Sequence, residues 1–209
     1  MHSQWRLSHL VPAVFLNACA LPAASAASML AGEALVEALR HGGYVIVMRH
    51  ASSPQQPPDA KTADPGNRNR ERQLDEKGRA AAAAMGRALR ALRIPIGEIL
   101  SSPAYRALET VRLAQLGKST PIPELGDNGR SMQASTDAQA EWLKKRAGQF
   151  PSGTNTLIVT HMPNMTRAFP EFTRNLTDGE ALIFGPDGKG GTTLVARIKI
   201  EEWPRLAIQ

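Results

Sequence analysis

Apolar residues along the 209-residue chain form short continuous runs and longer stretches at helical spacing. Short β-branched runs predict strands at Tyr44–Met48, at the end of Ile94–Leu100 and at Thr156–Thr160. Two later runs, Ala181–Phe184 and Thr193–Ile200, flank a Pro-Asp-Gly turn and predict a β-hairpin or a sheet edge. The pattern therefore predicts five strands.

Segments with helix signals separate most of these strands. They predict helices over Gly32–Arg40, from the capping residue Asp75 to about Leu92, over Ala104–Leu116 and over Asp137–Gln149. Strands that alternate with helices favour an α/β fold. We expect a three-layer sandwich with a mostly parallel central sheet flanked by helices.

Residues 1–26 have the pattern of a signal peptide. Arg6 precedes an apolar stretch from about Leu10 to Leu21, and Ala24-Ser25-Ala26 is typical of a cleavage site. We therefore expect residues 27–209 to form one domain that is periplasmic or secreted.

The leader allows two other interpretations. A membrane span is disfavoured, because the apolar run is shorter than the roughly 20 residues that cross a bilayer and contains Pro12 and Asn17. A lipoprotein stays a minority alternative, since Leu16-Asn17-Ala18-Cys19 resembles a lipidation site. Cys19 is the only cysteine, so the mature chain is expected to have no disulfide.

The charge pattern limits the class of ligand. The formal net charge is +6, and removal of the leader with its single Arg6 leaves +5. A nucleic-acid-binding protein would cluster its basic residues with aromatics, but here they are scattered and aromatics make up 5%. The charge favours a solvated basic surface or a small anionic substrate.

Two histidines directly follow predicted strands, and arginines accompany them. His50 comes after Arg49 at the end of the first strand, and His161 ends the Thr156–Thr160 strand. Arg106 lies near the start of a helix that follows another strand. Ligands of α/β sheets bind beyond the carboxyl ends of the strands, so these side chains are expected to converge on an anion. Guanidinium groups suit phosphate, and a neutral imidazole can attack phosphorus.

Four segments together resemble the histidine phosphatase superfamily, in its phosphoglycerate mutase-like branch 1. Val45–His50 resembles the Arg-His-Gly signature, and Gln73–Gly78 resembles the Leu-Thr-x-x-Gly segment. Ser101–Thr110 resembles the Ser-Ser-Pro…Arg-Ala…Thr segment, and Val159–His161 resembles the second-histidine segment. The segments occur in the family's order and span most of the mature chain.

The resemblance implies a metal-independent phosphoric monoester hydrolase with no cofactor. His50 would become phosphohistidine, Arg49 and Arg106 would hold the phosphate, and His161 would hydrogen-bond it before water hydrolyses the intermediate. The expected partner is a small phosphorylated substrate, such as a phosphate on a cell-envelope sugar, rather than nucleic acid or a membrane span.

The chain departs from the family pattern at two places. Ala51 replaces the glycine after the Arg-His pair, while Ser52 remains a candidate phosphate donor. The general acid is less well marked, and Glu124 is preferred over Asp127. Arg70 and Arg72 in the long loop could extend the anion pocket, although a solvated loop charge is the favoured interpretation.

Two other functions stay open from the sequence: a mutase of the phosphoglycerate type, and a non-catalytic envelope module that binds phosphorylated ligands. Export disfavours the mutase, whose substrates are cytoplasmic. The irregular stretches Ser52–Arg72 and Lys118–Thr136 would determine the substrate. The first is either a loop over the site or a disordered surface loop.

Overall fold

A six-stranded sheet lies at the centre of the computed structural model, which describes residues 29–127 and 135–208. In chain order its strands are β1 (Val45–Arg49), β2 (Ile96–Ser101), β3 (Thr120–Pro121), β4 (Asn155–Thr160), β5 (Ala181–Pro186) and β6 (Thr192–Ile198). Their spatial order is β3-β2-β4-β1-β5-β6. The first four strands are parallel, while β5 and β6 form an antiparallel hairpin at the edge. The prediction of a mostly parallel sheet is confirmed.

Helices connect the strands. They are α1 (Gly32–His41), α2 (Glu76–Ala91), α3 (Tyr105–Ala114), α4 (Asp137–Ala147), α5 (Met162–Ala168) and α6 (Glu202–Leu206), with a 3-10 helix at Pro123–Leu125. The first four match the predicted helices. The sequence patterns missed α5, α6 and the two-residue strand β3.

The alternation of side chains along β1 divides the core into two layers. Ile46 and Met48 pack on one face in a cluster with apolar residues of α1, α2, α3 and α6. Val45 and Val47 face the other way and cluster with residues of α4 and α5. Helices therefore cover both faces of the sheet, which confirms the three-layer sandwich and explains why β1 is apolar at four successive positions.

The start of α2 packs directly against the chain that follows His50. Asp75 caps this helix by accepting from the Gly78 N–H at 2.6 Å. A Cβ at Gly78 would overlap the carbonyl oxygen of Ser52, so only glycine permits this approach. The Ser52 hydroxyl also donates to Asp75 Oδ2 at 2.6 Å. These contacts anchor the segment after His50.

The predicted signal peptide and the lipidation alternative at Cys19 lie outside the described residues. Within the ranges that are described, none of the helices is both long enough and apolar enough to cross a membrane.

Candidate active site

The carboxyl ends of β1 and β4 bring His50 and His161 together. Because the two strands are parallel neighbours, Arg49 is in register with Thr160, and the His50 N–H donates to the Thr160 carbonyl at 3.0 Å. The imidazole rings lie with their centroids 5.2 Å apart and their planes at 62°. Both side chains are buried.

Arg106 links the two histidines from the first turn of α3. Its Nε donates to His50 Nε2 at 3.1 Å, and its Nη2 donates to His161 Nδ1 at 3.0 Å. Nη2 also forms a buried ion pair with Asp127. One guanidinium therefore contacts both imidazoles and a carboxylate, which its planar array of donors allows.

Thr110 ties α3 to the residue that follows His50. Its hydroxyl donates to the Arg106 carbonyl at 2.8 Å and accepts from the Ala51 N–H at 3.1 Å. Ala51 is fully buried, and the residues that line the site cavity do not include it. The methyl group that replaces the family glycine thus lies away from the cavity.

Hydrogen bonds to His50 determine which nitrogen carries the proton. Nδ1 lies 2.8 Å from the Ala51 carbonyl, which only accepts, so Nδ1 is protonated. Arg106 only donates, so Nε2 presents its lone pair. Burial, followed by the neighbouring His161 and Arg106, lowers the pKa of His50 well below its ordinary value. His50 is therefore a neutral imidazole whose Nε2 electron pair accepts from Arg106 and carries no proton.

His161 is the opposite tautomer. Its Nδ1 accepts from Arg106, so Nε2 carries the proton and donates to the Ser102 hydroxyl at 2.8 Å. Ser102 also accepts from the Ala104 N–H at 3.1 Å, which holds the hydroxyl in place. Burial, and then the cation of Arg106, lower the pKa of His161 well below its ordinary value.

Two further arginines reach the same cavity. Arg49 Nε is buried and has no hydrogen-bond partner within the described residues, which leaves a donor for a ligand. Arg72 is held by the loop after His50, because its Nε donates to the Pro54 carbonyl at 2.6 Å and its Nη2 to the Ser53 carbonyl at 3.2 Å. Burial and the nearby Arg106 lower the pKa of Arg72. Arg72 therefore lies at the cavity wall and is only partly exposed, so the structure favours the alternative in which it extends the anion pocket.

These groups surround a cavity of about 150 Å³. Nine residues line it: Arg49, His50, Gln55, Arg72, Arg106, Asp127, His161, Met162 and Pro163. Gln55 and Arg72 belong to the long loop. Of the two alternatives for this loop, the structure therefore supports the one in which it lies over the site. Three guanidinium groups and two imidazoles make the cavity suited to a doubly charged anion such as phosphate.

The structure separates the two carboxylates that the sequence left as general-acid candidates. Asp127 is buried, lines the cavity and pairs with Arg106. Glu124, the preferred candidate, is exposed on the 3-10 helix and does not line the cavity. The structure therefore favours Asp127 over Glu124 as the candidate general acid.

Ser52 is not where the sequence placed it either. Its hydroxyl donates to Asp75, and Ser52 lines a neighbouring cavity of about 460 Å³ instead of the histidine cavity. Arg49 borders both cavities. The two cavities thus lie side by side at the carboxyl end of β1, with Arg49 at their common boundary.

A family model described as the histidine phosphatase superfamily (branch 1) matches residues 45–127. Over these residues the chain is similar to this superfamily. The matched segment contains Arg49, His50, Arg106 and Asp127, and the parallel pairing of β1 with β4 adds His161 from beyond it.

Solved structures share the histidine phosphatase fold. The protein histidine phosphatase SixA complexed with tungstate has a TM-score of 0.53 at 20% identity, covering 76% of this chain and 98% of that one. A phosphoserine phosphatase mutant from Entamoeba histolytica in complex with phosphoserine has a TM-score of 0.52 at 14% identity, covering 76% and 98%. A search of curated protein sequences found no match.

Proposed function

We propose that this protein is an exported phosphatase that hydrolyses phosphate monoesters through a phosphohistidine at His50. One observation carries the proposal: the neutral imidazole of His50 presents its Nε2 lone pair in a cavity lined by three arginines. A neutral imidazole is a nucleophile toward phosphorus, and the guanidinium groups offset the charge of the phosphate that would otherwise repel an attacking group.

In the first step, His50 Nε2 attacks phosphorus while the ester P–O bond breaks. The electron pair of that bond passes to the leaving oxygen, which takes a proton from Asp127. The mechanism requires Asp127 to be in its acid form when the substrate is bound, with Oδ2 accepting from Arg106 and the proton on Oδ1. Arg49, Arg72 and Arg106 donate to the non-bridging oxygens, over which charge is spread in the transition state. The alcohol leaves, and the phosphoryl group stays on His50.

In the second step, water attacks the phosphohistidine. The P–N bond breaks, and its electron pair returns to His50 Nε2. The proton of the attacking water passes to the Asp127 carboxylate, which restores the acid for the next cycle. The product is inorganic phosphate.

Asp127 is assigned as the acid because of its position. Its Oδ2 pairs with Arg106, while its buried Oδ1 has no hydrogen-bond partner among the described residues. An oxygen without a partner at the cavity wall is free to bond the leaving group.

Substitution of His50 tests the mechanism. The purified protein should cleave an activated aryl phosphate in the presence of a metal chelator, and rapid acid-free quenching should trap acid-labile phosphohistidine. His50→Ala should abolish both signals, whereas His41→Ala, at an exposed histidine, should retain them. Hydrolysis by His50→Ala at the wild-type rate would refute the mechanism.

The same preparation separates the alternative functions. Phosphate binding by a folded protein that forms no phosphohistidine would favour a binding module. Conversion of 3-phosphoglycerate to its 2-isomer, instead of release of inorganic phosphate, would favour a mutase. Both outcomes are distinct from the expected one.

The general acid is tested by leaving groups of different quality. Asp127→Asn should lower kcat/KM for an alkyl phosphate by about 10²- to 10⁴-fold, but much less for a nitrophenyl phosphate, whose leaving group needs no proton. Glu124→Gln, the matched amide substitution at an exposed carboxylate, should leave both substrates unaffected. Equal losses on the two substrates in Asp127→Asn would exclude a role in protonation.

Export is the remaining part of the proposal. It is supported by the leader pattern of residues 1–26. Fractionation of cells followed by N-terminal mass determination should find a periplasmic or secreted chain that begins near residue 27. A cytoplasmic chain that keeps its leader would contradict export.

The substrate is proposed to be a small phosphorylated molecule. The cavity beside Arg49 offers space for the rest of such a molecule, with Lys77 and Lys199 next to Asp178 and Glu201 on its wall. A phosphate on a cell-envelope sugar is compatible with this polar wall and with export. Comparison of kcat/KM for phosphosugars, phosphoserine and phosphohistidine identifies the preferred class.

A further inference from the structure

The turn before β5 carries a carboxylate to the side chain of Arg49. Asp178 Oδ1 lies 2.6 Å from Arg49 Nη2, and the Arg49 Nη1 is 3.5 Å from the Leu176 carbonyl. None of the family motifs quoted above includes Asp178. In the fold, this turn lies beside the strand end that supplies Arg49 and His50.

The backbone of the turn is bonded to those two residues. The Arg49 N–H donates to the Glu180 carbonyl at 3.0 Å, and the Gly179 N–H donates to the His50 carbonyl at 2.9 Å. Gly179 has φ +71, and a Cβ there would lie 2.8 Å from Ile200, so the close approach requires glycine. Asp178 is thus placed by the same bonds that place the Arg-His pair.

The side chain of Glu180, and not that of Asp178, stabilises the turn. Glu180 Oε2 accepts from the N–H of Thr177 at 2.8 Å and from its hydroxyl at 2.9 Å. Glu180 Oε1 pairs with Arg197 on β6. The structure of the turn therefore does not need the carboxylate of Asp178.

Partial burial of the charged Asp178 carboxylate costs free energy. Burial raises the pKa of Asp178, and Arg49, the first of its cationic neighbours, opposes this effect. The Asp178 side chain is 33% exposed and that of Arg49 only 15%, so solvent screens the pair only in part. A half-buried carboxylate aimed at one guanidinium restricts the rotation of a long, flexible side chain.

We propose that Asp178 is a positioning residue that holds Arg49 ready to bind the phosphate of the substrate. The ion pair engages Nη2, while Arg49 Nε stays without a partner within the described part of the chain and is available to a phosphate oxygen. Asp178 acts through Arg49 and lies outside the set of residues that line the histidine cavity. The inference rests on the proposed function, because it assumes that this cavity binds phosphate.

Asp178→Asn tests the proposal, since the amide keeps the shape of the side chain and removes its charge. We expect the Kd of inorganic phosphate, measured by calorimetry, and the KM of an aryl phosphate to rise together by about tenfold, within the range of coupling between charged residues in contact. The kcat should stay within about twofold, because Arg49 holds phosphate oxygens in both the bound substrate and the transition state.

Asp137→Asn is the matched control. Asp137 also lies 2.6 Å from an arginine, Arg167, but it is 87% exposed, and neither residue lines the histidine cavity. This variant should keep wild-type values of Kd and KM.

A double-mutant cycle distinguishes positioning from a merely structural role. In the background of Arg49→Met, the further change Asp178→Asn should not raise the phosphate Kd again, because the cation on which Asp178 acts is gone. A wild-type or lower phosphate Kd in Asp178→Asn, or an equal loss in both backgrounds, would overturn the proposal. Failure of the proposed function is a separate result, in which the wild-type protein itself neither binds phosphate nor hydrolyses the ester.

Discussion

Replacement of Arg106 by lysine tests whether the catalytic centre depends on the shape of this cation or only on its charge. Arg106 donates to His50 Nε2 at 3.1 Å and to His161 Nδ1 at 3.0 Å, and it pairs with Asp127. In the proposed mechanism the same donors also bind the phosphoryl group on Nε2. A lysine ammonium is a single point charge and cannot reproduce the planar array.

The size of the effect follows from the contacts that are lost. At least two charge-assisted hydrogen bonds disappear, each worth about 1.5–3 kcal/mol, for a total of roughly 3–6 kcal/mol. This corresponds to a decrease in kcat/KM of roughly 10²- to 10⁴-fold. Steady-state kinetics with an aryl phosphate measures it, and thermal unfolding verifies that the variant is folded.

Arg87→Lys, at an exposed arginine of α2, is the matched control and should behave as wild type. A loss of less than tenfold in a folded Arg106→Lys protein would refute the reasoning, because it would mean that charge alone suffices. Such a result would also mean that the hydrogen bonds from Arg106 to the two histidines are not needed for catalysis.

Two further predictions concern stability. Both buried histidines have lowered pKa values, so below about pH 6.5 the unfolded chain binds protons that the folded chain does not. The free energy of unfolding should therefore decrease as the pH is lowered, by up to about 1.4 kcal/mol per pH unit for each histidine. Urea unfolding between pH 7 and 5.5 should show a shallower dependence in His161→Gln than in wild type, and equal slopes would contradict the neutral assignment. Gly78→Ala should lower the free energy of unfolding by about 1–3 kcal/mol, because the added Cβ displaces Ser52. Gly66→Ala is the control and should not, since a Cβ there would lie 3.6 Å from Tyr105. Equal melting temperatures for the two variants would contradict this packing.

The strands and long helices could be predicted because their signals are local. The run Val45–Met48 is apolar at every position and is covered on both faces, as the sequence indicates. The seven-residue helix Met162–Ala168 escaped prediction because it is too short to show helical periodicity. This helix is stabilised by the packing of Met165 and Ala168 against the sheet, which the local sequence does not show.

The central site residues could also be anticipated, but for a topological reason. His50 and His161 are 111 positions apart, yet both follow strands that proved to be parallel neighbours. Residues at the carboxyl ends of parallel strands share one edge of the sheet. Arg106 joined them because a helix that follows another strand of that sheet begins at the same edge.

The sequence by itself determined the strands and helices, the class of fold and the chemistry available at the strand ends, because each depends on residues near one another in the chain. Only the tertiary structure decided between Glu124 and Asp127, turned Ser52 toward Asp75 and brought Arg72 into the cavity. These residues lie in irregular segments, where no periodicity sets the direction of a side chain. Their directions come from partners distant in sequence, as in the ion pair that joins Asp127 to Arg106, and such partners become neighbours only when the chain is folded.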